Sequence, residues 1–151
     1  MVVAVGRVLF AVLFVVSGVL KLVDLTATAK DLAAHVVLPS VVSPYADQIA
    51  AFTGMPFEQI LAIAAGATEI ICALMIALNF GARFFAVVLM LFVLVATFYY
   101  HPFWDVSSSR HVDDTIQALK NLSLVGALLI IAGFPRTPRD AADLTLGERQ
   151  L

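Results

Sequence analysis

The sequence predicts an all-α integral membrane protein, a four-helix bundle, and three observations predict it. Hydrophobic residues make up 62% of the 151 and charged residues only 13%, where a soluble domain carries about a quarter charged. The mean hydropathy is +0.99. The apolar residues fall in four blocks, roughly 2–23, 57–78, 82–101 and 116–134, each near the ~20 residues that a helix needs to cross ~30 Å of hydrocarbon. Helices satisfy every backbone group internally in lipid, and these blocks lack the alternation of a barrel.

The first block resembles a signal peptide only at Ala27-Thr28-Ala29. Its apolar run is too long, and Lys21 and Asp24 separate it from that site, so a retained helix is expected. The segment 24–56 contains Pro39 and Pro44 and mixes polar with apolar residues. "ATAKDLAAHVVL" and "YADQIAAF" fit short helices lying in the membrane interface, and an irregular loop fits as well. Pro56 suits the first turn of the second span, with Glu58 close behind to complement the positive helix terminus. "NFGAR", residues 79–83, is a tight turn with Gly81 as its breaker, which makes the second and third spans an antiparallel hairpin.

"FYYHPFW", residues 98–104, reads as an aromatic belt at a membrane–water boundary. Asp114 to Gln117, "DTIQ", resembles a capping box opening the fourth span, and Pro135 and Pro138 stop it. A membrane domain over 1–135 with a polar tail over 136–151 is the expected organisation. With the N-terminus inside, the inner connections hold Arg83, Arg136, Arg139 and Arg149. That bias places both termini in the cytoplasm and the long loop outside.

The net charge of -2 comes without a basic stripe, so no nucleic-acid partner is expected. The one cysteine, Cys72, excludes a disulfide within the chain and reads as a small buried hydrophobe.

Polar residues inside the blocks carry the functional question. Arg7, Phe10, Phe14, Ser17 and Lys21 recur at three- and four-residue steps and share one helix face, with Gly18 adjoining. Ala62, Ala65, Gly66, Glu69 and Ala73 share a small-residue packing face that carries one carboxylate. Gln117, Lys120 and Asn121 open the last block. An ionised group at mid-membrane costs on the order of 2–3 kcal/mol even on the lenient scale. Glu69 therefore needs a partner, a proton or water.

At ~1.5 Å per residue Glu69 lies roughly 13 Å from the inner end of its helix, between Arg7 at roughly 7 Å and Lys120 at roughly 20 Å. Either is its expected partner, with Lys21 snorkelling outward. Glu69 then is a structural ion pair, a neutral acid, or the wall of a polar cavity flanked by Phe10 and Phe14. At the outer ends His101, Asp105, His111, Asp113 and Asp114 offer metal-ligand and proton-shuttle chemistry. Their spacing matches no known metal site, and no metal is expected. His35 reads as a surface residue.

"GRVLFAVLFVVSGVLKLVD", "GATEIICALMIALNFGAR" and "QALKNLSLVGALLI" resemble the DoxX family of bacterial four-helix membrane proteins. Arg7, Gly18 and Lys21, Glu69 after Gly66, and Lys120-Asn121 carry the resemblance, which spans nearly the whole chain except the tail and most of the long loop. It implies a multi-pass protein of the bacterial cytoplasmic membrane, in a family named from an archaeal thiosulfate:quinone oxidoreductase and linked to oxidative and thiol stress. It also implies a shared polar centre of Arg7, Lys21, Glu69, Lys120 and Asn121.

The expected function is a membrane subunit of an oxidoreductase system, with a cavity for a quinone or a small anion. There Arg7 and Lys120 supply positive charge, Asn121 and Gln117 hydrogen bonds, and Glu69 a proton acceptor. The alternative is a non-catalytic accessory subunit of a larger respiratory complex. A small transporter is a third reading and would need a homo-oligomer. No haem-ligand pair, dinucleotide fingerprint or redox dithiol marks a self-sufficient enzyme, so partner proteins are expected beside membrane lipids.

Overall fold

A computed structural model describes residues 1–133; the polar tail expected over 136–151 and the end of the last apolar block lie outside them. The described residues form six helices: α1 (Val2–Val23), α2 (Leu25–His35), α3 (Ser43–Thr53), α4 (Phe57–Ala77), α5 (Ala82–Tyr100) and α6 (His111–Gly133). α1, α4, α5 and α6 are long and apolar enough to cross a membrane.

Local chemistry sets the joints. Asp24 ends α1 and at once caps α2, its carboxylate accepting from the Ala27 amide at 3.0 Å, so no loop separates the two helices. The long connection is therefore largely helical, with α3 closed by Gly54 in the left-handed region. The α4–α5 turn differs from expectation in its terminator. Asn79, at φ 59, ends α4. Its amide bonds the Ile76 carbonyl and that of Phe80 bonds the Met75 carbonyl, a Schellman arrangement. Gly81, also at positive φ, opens α5 instead.

α6 begins at His111, five residues before the apolar block, so Asp114 lies within its first turns and is not the N-cap that the expected capping box required. Hydropathy does not register a polar helical turn. Asp114 is held there by burial against His101 across the helix pair.

α4 is the hub, packing on α1, α5 and both short helices, while α6 packs on α5. The backbones of α1 and α6 make at most a marginal contact, so the four spans form an incompletely closed bundle. Near the α4–α5 turn it is filled by Ala11, Phe14, Cys72, Ile76, Leu89, Val93 and Leu128, among others. Toward the end bearing α2 and α3, it is not.

Candidate functional site

The site begins where α1 crosses α4. Glycine at both crossing positions brings the backbones together: a Cβ on Gly18 would stand 2.6 Å from the Gly66 carbonyl oxygen, and one on Gly66 2.9 Å from that of Gly18. One turn away, the Lys21 ammonium donates to Glu69 Oε2 at 2.9 Å, Glu69 Oε1 at 3.1 Å and Ser17 Oγ at 2.7 Å. Glu69 is only 5% exposed, whereas Lys21 is half-buried. The carboxylate is thus satisfied by a cation on the neighbouring helix.

That cation is neither of the two expected from depth. Arg7 Nη1 donates to Asn79 Oδ1 at the α4–α5 turn, and Lys120 donates to Gln117 Oε1 at 2.9 Å on an exposed face of α6. Lys21 does not snorkel outward. Side chains lean toward the N-terminus of their own helix. In an antiparallel pair the Lys21 and Glu69 side chains therefore lean toward each other, closing a height difference that Cα positions overstate. Ser17, four residues before Lys21, receives it on the way.

The pair opens on a cavity of about 860 Å³, within the range of about 300–1,000 Å³ typical of small-molecule sites. Its walls are largely apolar, with Leu13 and Phe14 from α1, Leu61 and Ala65 from α4, Phe92 from α5 and Leu124 from α6. Ser17, Thr68, Asp31, Tyr99, Tyr100, His101 and Asn121 add polar atoms. The cavity occupies the region where α1 and α6 stay apart.

α2 and α5 close the loop end. The His35 ring stacks on Tyr100 with centroids 4.5 Å apart, and its Nδ1 lies 3.4 Å from Asp31 Oδ1. His35 is therefore a packing residue, not the surface residue expected. The aromatic belt divides: Phe98 and Trp104 face outward in contact with each other, while Tyr99 and Tyr100 line the cavity. His101 caps α5, and its Nδ1 lies 3.3 Å from Oδ1 of Asp114, a carboxylate only 4% exposed. Asp114 Oδ2 and His111 Nδ1 are buried with no protein partner among the described residues.

Of the expected polar centre, Lys21, Glu69 and Asn121 line the cavity, whereas Arg7, Gln117 and Lys120 lie away from it. Asn121 also donates to Thr97 Oγ1 at 2.8 Å, tying α6 to α5. Phe14 lines the cavity; Phe10 stands behind it, ring centroids 5.2 Å apart. Of the outer cluster, His101 alone reaches the cavity. Asp105 is exposed in the loop, where hydrogen bonds from the Ser107 side chain and amide hold its carboxyl below the usual value. Among the described residues no group of three or more His, Cys, Asp or Glu side chains is placed to hold a metal ion.

Sequence reasoning missed Asp31, Thr68, Tyr99 and Tyr100 as lining residues. A period-3.6 count from Glu69 does not reach Thr68, and only the docking of α2 brings Asp31 in.

The family model named DoxX matches residues 2–102. Inner membrane protein YphA of Escherichia coli (strain K12) is 32% identical over 85 residues, 56% of this chain and 61% of that protein. The chain thus matches about three-fifths of that relative's length. No solved structure matches. With the family model covering well over half of it, the chain belongs to the DoxX family and is a multi-pass protein of the bacterial inner membrane.

Proposed function

We propose that the protein is a membrane subunit of an oxidoreductase system, and that its cavity binds a small quinone-type ring molecule on behalf of a partner enzyme. The observation that carries this reading is the Lys21–Glu69 pair opening on an apolar cavity of about 860 Å³. Apolar and aromatic walls suit a ring, and a few convergent polar groups suit its oxygens. A small anion is the weaker candidate, because Glu69 already neutralises the ammonium that would attract it. Lys21 turns the N–H that it gives to Ser17 toward a ring oxygen, and Glu69 orients Lys21 and accepts a proton. The termini face the cytoplasm, consistent with the distribution of Arg residues.

The test is quinone binding by the purified, detergent-solubilised protein, measured with a short-chain quinone. Lys21→Met is expected to weaken binding about tenfold, the worth of one charge-assisted hydrogen bond, while the protein still folds. Glu69→Gln is expected to weaken it less. If both variants bind as the wild type does, the cavity reading fails.

One observation favours a second reading. The ion pair lies one turn from the Gly18–Gly66 contact, where it latches α1 to α4. An accessory subunit of a respiratory assembly needs no more than that. The latch alone predicts variants that lose stability and keep any quinone affinity they have.

A further inference from the structure

Several of the cavity's polar groups already have protein partners. Glu69 accepts from Lys21, and Asn121 donates to Thr97. His101 lines the cavity and uses one ring nitrogen, Nδ1, on Asp114. No protein group among the described residues bonds its other nitrogen, Nε2.

The Asp114 carboxylate dictates what that free nitrogen can do. An ionised carboxylate only accepts, so the shared hydrogen sits on Nδ1. In the neutral ring Nε2 then presents a lone pair, the same fixing of tautomer by a carboxylate that orients histidine ligands elsewhere. An acceptor on a residue that lines an apolar cavity pairs with a hydroxyl and gives nothing to a carbonyl. Leaving it unmatched costs more than matching it gains, so it discriminates between ligands that differ by one hydrogen.

We propose that His101 is a ligand-binding residue that selects the hydroxyl-bearing, reduced form of the ring molecule, and that Asp114 is the positioning residue that makes it an acceptor. The proposal rests on the reading of the cavity as a ring-binding site and adds which form that site prefers.

Two probes separate the possibilities without redox chemistry: a short-chain para-hydroquinone and its dimethyl ether. Both are titrated into the purified full-length protein by calorimetry, in mildly alkaline, reducing buffer. The hydroquinone is expected to bind about tenfold more tightly, as one hydrogen bond allows. His101→Phe and Asp114→Ala are each expected to bring the ratio of the two affinities close to one. A role of Asp114 in folding alone would not move that ratio. In the wild type, nitrogen-15 shifts should show His101 protonated at Nδ1. Equal binding of the two probes overturns the selection by His101 while leaving the ring-binding site intact. Absence of binding by either overturns both. A wild-type preference that survives in a folded His101→Phe protein assigns the selection elsewhere and refutes the role of His101.

Discussion

The two ends of the bundle are built from the same four spans and are solved differently. Near the α4–α5 turn the helices close on a dry core, where Ile76, Leu89 and Leu128 are fully buried. Toward α2 and α3 the helices part around a cavity whose wall carries an ion pair, a histidine and two tyrosines. Within that core the side chains meet by shape alone, and the polar contact of this end, Arg7 to Asn79, lies at the turn. At the open end polar groups meet partners on neighbouring segments: Lys21 for Glu69, His101 for Asp114 Oδ1, Thr97 for Asn121. Membrane interiors supply no water to repair a missing one. The packed core lies in one half and the cavity in the other.

The sharpest way to break this division is at the crossing between the halves. Gly18→Leu drives a side chain into the Gly66 carbonyl and the Ile70 side chain, and should separate α1 from α4. We expect loss of the folded protein, seen as aggregation in size-exclusion chromatography; a monodisperse, stable variant would refute the close crossing.

Next in size comes a matched pair of truncations. Leu89→Ala in the dry half should cost about 2 kcal/mol or more in a detergent unfolding titration, because it leaves a void. Leu124→Ala on the cavity wall should cost less than half of that, since its side chain already borders open space. Equal costs would mean that the two ends pack alike.

The smallest effect belongs to the loop. Ser107 holds the Asp105 carboxyl below its usual value, so this contact stabilises the fold above the ordinary carboxylate pKa and is lost as pH falls through the depressed one. Ser107→Ala should move the Asp105 titration, followed by NMR, toward the ordinary value of 3.8. The ligand affinities should not change.

Much of the architecture was legible in the sequence because hydropathy reports directly on length in lipid. The second and third apolar blocks match α4 and α5 to within a residue. The start of α6 was hidden, because "HVDDT" is polar and hydropathy marks only apolar helical turns. In the candidate site, Lys21 and Glu69 were legible as residues but not as partners. Pairing depends on which way a side chain leans, and counting along the helix measures only where it is rooted. The cavity's extent was not legible at all. It follows from α1 and α6 standing apart and from α2 docking beside α5, and both are properties of packing between distant segments.

Arg7 is joined to Asn79, 72 positions later, and Lys21 to Glu69, 48 positions later. Both cations of the leading span are therefore without their mates while that span is being delivered into the bilayer. Its arrival is provisional: water, headgroups or the insertion machinery must shelter the two charges until the hairpin made by the next two spans is in place. The order of chain growth thus places each of these two cations ahead of the residue that satisfies it.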